Sequence, residues 1–350
     1  MTKNRDIPPE LEKMLLDYYL HLGKEEYTTI FWDNINKPRI IDLLNHGYEN
    51  FKHTVATHYS QWLINPGSKK MERSTKAQLD FLISNLSKIE VSKAKKIYRK
   101  LPVFPDRIKE FNLITLLLWQ YVKNQGLEKE AAQLNEPPDG SPLAINYKGR
   151  LISQSLAHSL LEFDSITKNI QPDSVRTILS IGPGYGRTAY VWMRLYDVRK
   201  FIFIDLPPAL YLAQRYLGTK FPEKEVFKYR DFKSFDDIKD EYAQADLVFL
   251  MPWQIAMLPE KSIDLIYAIE SFDEMNLKTI RRYLKIINKL GKKYFYMRIW
   301  EAWGAENGII KPKDIPIPKG WKTLLNRRYR VQSRSFESLY QLPVSFLPSK

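Results

Sequence analysis

The stretch TILSIGPGYGRTAY, Thr177 to Tyr190, constrains this chain more than any other. A short apolar run ends in three alternating glycines, Gly182, Gly184 and Gly186. Glycine lets a chain turn tightly and lets a ligand approach the backbone closely. A second apolar run, KFIFID, ends in Asp205, 23 residues after Gly182. A carboxylate at the end of a second strand can accept both hydroxyl hydrogens of a ribose. Loop and acid together point to a nucleoside-containing ligand at the carboxyl ends of a doubly wound sheet.

The spacing narrows the nucleoside. A dinucleotide loop reads G-x-G-x-x-G/A, and the third position here is Arg187, a large residue where a helix must press on a strand. NAD is therefore disfavoured. No G-x-x-x-x-G-K-[ST] occurs, which argues against a nucleoside triphosphate. The remaining common ligand with ribose and adenine is S-adenosylmethionine. The competing reading of a glycine triplet is a plain turn in any α/β protein.

The surroundings fit. Continuous apolar runs (RTILSI, KFIFID, DLVFLM, IDLIYAI, KKYFYMRIW) alternate with helical patterns, as in a parallel sheet covered on both faces. Leu151 to Ile170 reads as a helix, and RVQSRSF as a late strand. The first third reads helical: Leu11, Met14, Leu15, Tyr18 and Leu22 share a face after Pro8 and Pro9, and more helical pattern follows around Leu79 to Leu86 and Phe111 to Val122. NEPPDGSP, Asn135 to Pro142, breaks both patterns. We expect a mainly helical region over 1–140, for acceptor recognition or association, and a ligand-binding domain over 141–350.

The segments LISQSLAHSLLEFDSI, ILSIGPGYGRTA, FIFIDLPPALYLAQRYL, LMPWQ and IDLIYAIESFDEMN resemble the sugar O-methyltransferase family, among the class I S-adenosylmethionine-dependent methyltransferases. They span roughly Leu151 to Trp300. The resemblance implies an α/β, Rossmann-like, mostly parallel sheet of about seven strands. It implies that Gly182, Gly184 and Gly186 line the cofactor and that Asp205 holds its ribose. Leu206, Pro252, Trp253 and Gln254 would lie about the adenine. Glu270 and Ser271 would face the sulfonium or the acceptor. Such enzymes commonly carry an acid two positions before the first glycine, and Ser180 stands there instead.

Methyl transfer to a sugar hydroxyl needs alignment and a base. ESFDEM offers Asp273 and Glu274 beside Glu270 and Ser271. Ser271 and Glu274 also spell S-x-x-E, a capping box for the next helix, and Asp273 could simply favour that helix's N-terminus. His158 is the other candidate: Gln154, His158, Glu162 and Ser165 form a polar stripe at helical spacing, and Glu162 could orient the imidazole or raise its pKa. An exposed His–Glu pair is the competing reading. No spacing compels a metal, although carboxylates near acceptor hydroxyls could hold Mg²⁺.

Composition bounds the partners. The chain has 350 residues, a net charge of +14 and no cysteine, so thiolate metal sites and disulfides are excluded. The charge suggests an anionic acceptor, such as an acidic sugar or glycolipid of a surface polysaccharide, or peripheral contact with an anionic membrane. Basic clusters such as SKAKKIYRK, Ser92 to Lys100, also read as solvated faces. We expect a cytoplasmic protein, since MTKNRDIPPE lacks an apolar leader and Phe111 to Val122 is shorter than the roughly 20 residues of a span. Nucleic acid is a weaker expectation: the [DN]-P-P-[YF] of amine methylation is replaced by AIES, while RNA ribose methylation stays open. A non-catalytic binding protein with this fold is a third reading, for which Ser180 speaks.

Overall fold

The computed structural model describes residues 6–22, 30–55, 73–100, 106–301, 304–305, 308–309, 311–332 and 334–343. The helices are α1 (Pro9–His21), α2 (Ile30–His46), α3 (Arg73–Ser84), α4 (Lys88–Tyr98), α5 (Asp106–Asn124), α6 (Glu128–Gln133), α7 (Gln154–Thr167), α8 (Arg187–Leu195), α9 (Ala209–Lys220), α10 (Lys239–Gln244) and α11 (Leu277–Leu290). The strands begin with a hairpin, β1 (Ile145–Tyr147) and β2 (Arg150–Ile152). There follow β3 (Thr177–Ile181), β4 (Lys200–Ile204), β5 (Val226–Phe227), β6 (Leu247–Leu250), β7 (Ile263–Ile269) and β8 (Gly291–Trp300). The last are β9 (Gly304–Ala305), β10 (Gly308–Ile309), β11 (Lys322–Arg328) and β12 (Ser335–Gln341).

Every residue of β4, β6 and β7 is buried, which explains their unbroken apolar character. They belong to one eight-stranded sheet in the order β11-β12-β8-β7-β3-β4-β6-β5. Pairing is parallel from β5 across to β8, and β12 runs against both of its neighbours. The eighth strand, beyond the seven expected, is the two-residue edge strand β5.

Successive side chains leave opposite faces of the sheet. Ile178, Phe201, Phe203 and Phe249 point into one apolar cluster, and Leu179, Ile202, Ile204 and Leu250 into the other. α11 covers the second face with Ile280, Leu284 and Ile287. The first face is covered by α7, α8 and α9, and its cluster continues without a break into Leu11, Met14, Leu117 and Val122 of the helical first third.

Three local readings change. The helix expected from Leu151 starts at Gln154, because Arg150–Ile152 pairs as β2 and Ser153 caps the helix through its Oγ and Leu156 N, 3.0 Å apart. Of RVQSRSF, Ser333 lies outside the described residues, residues 330–332 and Arg334 lie between β11 and β12, and the strand begins only at Ser335. The breaker Asn135–Pro142 has no regular structure but is tied down: Lys52 Nζ lies 2.5 Å from Glu136 Oε1, and Lys52 N donates to Gly140 O. Among the described residues no helix is long and apolar enough to cross a membrane.

Candidate functional site

The strand order reverses at β3: the chain winds outward through β4 to β5 and β6 on one side, then crosses back to β7 and β8 on the other, so the loops after β3 and β7 diverge at the carboxyl ends of the strands. A cleft opens there in doubly wound sheets. Here it is a cavity of about 520 Å³, lined by the glycine loop, Asp205, the segment after β7 and one face of α2.

The glycine loop is held open by geometry. Gly182 has φ +68°, and a Cβ there would lie 2.7 Å from Ser271 Oγ. Gly182 and Gly184 line the cavity. Gly186 does not: at φ +90° it caps α8, and a Cβ would strike Leu217 at 2.7 Å, so its part is structural. Asp205 Oδ2 accepts from Gly184 N at 3.1 Å, and Oδ1 from Leu206 N at 2.8 Å. Burial raises its carboxyl to about 7, against the pull of those two donors and of Arg39.

The segment after β7 is the second wall. Glu270 takes φ +51° and pairs with Arg298 at 2.8 Å. The capping box expected from Ser271 and Glu274 does not form. Phe272–Glu274 is a single 3₁₀ turn without a side-chain cap, and α11 starts later, capped by Asn276 Oδ1 on Thr279 N at 2.9 Å. Ser271 and Glu274 are thus released from capping. Among the described residues, Ser271 Oγ and Asp273 Oδ1 are buried without a hydrogen-bond partner. Burial, then the Glu270 charge, raises Asp273 to about 7. Burial, then Asp273, pushes Glu274 well up.

His158 lies outside the cavity lining. The helix that carries it is not half-exposed but packed between α5 and α8, and His158 is buried. Tyr329 Oη donates to the His158 carbonyl at 3.2 Å and sits 3.3 Å from Nδ1, while Gln78 Nε2 sits 3.4 Å from Nε2. These partners suit a neutral imidazole with its proton on Nδ1. Burial, then Arg298 and Arg187, drives its pKa well down. Glu162 does not orient it. Its oxygens serve Arg187 (2.9 and 3.2 Å), Thr188 (2.8 Å) and Arg298 (3.1 Å). Arg187 therefore turns onto α7 and away from the sheet, which is how a large residue fits at the loop's end.

The adenine-side expectations divide. Leu206 and Pro252 line a small pocket of about 30 Å³ that shares Gly182, Asp205 and Ser271 with the main cavity. Trp253 lines neither. It stacks on His21 with centroids 4.0 Å apart, and its Nε1 donates to Asp17 Oδ2 at 3.0 Å. Gln254 is wholly buried, accepting from Met251 N and donating to Arg230 O, both at 2.9 Å.

Sequence reasoning missed the cover. Asn34, Ile35, Pro38, Arg39 and Asp42 of α2 line the cavity, and no motif singles them out. The lining holds five carboxylates (Asp42, Asp205, Glu270, Asp273, Glu274) against two guanidinium groups (Arg39, Arg187). The positive excess of the chain is therefore not in its cavity. No group of metal-ligating side chains occurs among the described residues.

The parallel sheet with one antiparallel strand, β12, inserted beside β8 is Rossmann-like. No protein-family model matches the sequence. No curated protein matches it. Among solved structures, the magnesium protoporphyrin IX methyltransferase of Synechocystis PCC 6803 is 10% identical with a TM-score of 0.38, over 64% of this chain and 97% of that one. A S-adenosylmethionine-dependent methyltransferase from Clostridium acetobutylicum ATCC 824 is 12% identical with a TM-score of 0.37, over 53% and 90%. One from Aquifex aeolicus is 13% identical with a TM-score of 0.32, over 52% and 89%.

Proposed function

We propose that this chain is a S-adenosylmethionine-dependent O-methyltransferase acting on a sugar hydroxyl. The supporting observation is the switch-point cavity, where the glycine loop, Asp205 and the unpartnered Oδ1 of Asp273 converge. Its volume of about 520 Å³ lies in the range of small-molecule sites. The residues suit the cofactor: Gly182 and Gly184 present bare backbone to the cavity, Asp205 stands where a ribose diol can be held, and the Ser271 hydroxyl lacks an internal partner.

When bound, the cofactor supplies a methyl group on a cationic sulfur. The chain's own tasks are to align the acceptor oxygen and take its proton. Alignment is worth several kcal/mol in reactions of this kind. Asp273 is the base. A carboxyl poised near 7 is ionised often enough at neutral pH and is basic enough to accept a hydroxyl proton in the transition state. Glu270, fixed by Arg298, stands beside it and helps to raise it. Glu274 offers a second carboxyl to a neighbouring hydroxyl. His158, neutral and outside the lining, has no part in this scheme. The lining suits an uncharged polyol better than the anionic acceptor that net charge alone suggested, because its five carboxyl groups accept from hydroxyls and only two guanidinium groups could meet an anion.

Isothermal titration with S-adenosylmethionine, with NAD and ATP as controls, tests the first half on wild type and Asp205→Ala. Selective binding lost in the variant supports the reading, and no binding removes it. Transfer of labelled methyl to neutral sugars, uronic acids and RNA tests the second half. Transfer to RNA alone would replace the sugar, and binding without transfer to any class would leave a binding protein.

A further inference from the structure

The positive charge absent from the cavity is concentrated elsewhere. Ser87 opens α4 with a complete capping box, its Oγ accepting from Glu90 N and Glu90 Oε2 accepting from Ser87 N. That box turns the only carboxylate of α4 back onto the helix start and onto Gln120 of α5. The opposite face then carries cations and no carboxylate: Lys88, Lys95 and Arg99 recur with Ser92 at helical spacing, and Lys96 lies beside them. They rim a groove of about 570 Å³ between α3 and α4, whose apolar part is Ile83, Leu86 and Val91. The lining contains four cations and no carboxylate, and no ion pair joins these cations to another described residue. Ile83 is 39% exposed, and Ile89, on the adjoining face with Lys93, is 67% exposed.

We infer that the α3–α4 hairpin is a docking surface for an anionic lipid bilayer. Clustered basic residues are drawn to the negative surface potential of such a bilayer, and apolar side chains among them enter its headgroup boundary. The aliphatic character of the groove decides between polyanions. A single-stranded nucleic acid is held by aromatic side chains on which bases stack, and this lining offers none. Isoleucines exposed between lysines serve no purpose on a phosphate backbone, but they do serve on a membrane.

The test is co-sedimentation of the full chain with phosphatidylcholine vesicles, with and without phosphatidylglycerol, at low and high salt. The expected result is binding only to phosphatidylglycerol vesicles, weakened by salt. Lys95→Glu/Lys96→Glu should lower the partition more than about tenfold, since each basic residue near the surface contributes comparably. Lys95→Arg/Lys96→Arg should retain it. Ile89→Ser, which changes no charge, should also lower it. Circular dichroism melting confirms that each variant is folded. No binding to anionic vesicles, or binding indifferent to these variants, overturns the inference. RNA binding that depends on the same lysines, without vesicle binding, overturns it in favour of nucleic acid. Displacement from vesicles by dilute glycerol phosphate overturns it in favour of a pocket for a single phosphate group.

Discussion

Two concavities of this chain carry opposite charge and are built by opposite means. The switch-point cavity collects carboxylates from the ends of β4 and β7 and buries them under α2. The α3–α4 groove lines up cations from a single exposed helix. Burial is what separates their chemistry. Desolvation lifts Asp205 and Asp273 to about 7, whereas the lysines of α4 stand in solvent. A net charge of +14 therefore describes the surface a partner meets and not the site where a substrate reacts.

The cavity depends on a buried ion network, and removing its centre should have the largest effect. Arg298, 1% exposed, holds both Glu162 and Glu270. Arg298→Ala leaves buried carboxylates uncompensated and should cost about 3–5 kcal/mol in urea unfolding. An equal loss on reversing Lys95 and Lys96 would erase the distinction between the two regions.

Asp273→Asn should lower kcat by ~10²–10⁴-fold while cofactor affinity stays near wild type. Wild-type kcat should rise with pH through about 7, and the residual activity of the variant should lack that rise. A wild-type profile flat across neutral pH would remove Asp273 as the base.

Gly182→Ala meets both a positive φ and a contact of 2.7 Å with Ser271. We expect a stability loss of about 1–3 kcal/mol and weaker cofactor binding, read by unfolding and titration. Gly186→Ala should lose stability similarly, through Leu217, with less effect on binding.

Asp205 sharpens the contrast through pH. Because burial raises its folded-state value from the ordinary 3.8 to about 7, the folded chain binds that proton more tightly than the unfolded one. Stability from this group is fully present below the unfolded value and is lost as pH rises through about 7. Melting temperatures of wild type and Asp205→Asn should therefore converge at acid pH and separate above it, with the variant higher. The smallest effect is expected for Lys95→Glu/Lys96→Glu, whose unfolding free energy should change by less than about 0.5 kcal/mol.

Much of this was legible in the sequence. The parallel sheet followed from unbroken apolar runs, and the place of the site followed from three glycines and an acid at fixed spacing. The positions of Ser271, Asp273 and Glu274 at the end of β7 were legible too, but their freedom was not. S-x-x-E reads as a cap, and only the 3₁₀ turn after β7, with Asn276 capping α11, shows that the cap is unused. His158 misled because a polar stripe on a helix reads as a solvated face. Here the stripe meets buried arginines from α8 and β8, supplied from far along the chain. Trp253 misled similarly, since its partner His21 lies in the first third.

The sequence by itself determined the strand–glycine–helix turn, the acid-ended second strand and the basic cluster from Ser92 to Lys100, because each depends on residue types and spacing within one or two elements. The tertiary structure alone decided that α2 roofs the cavity, that Glu162 serves arginines and not His158, and that Asp205 and Asp273 are poised near neutrality. Those outcomes depend on which distant side chains exclude water from a charge, and desolvation has no signature in local sequence.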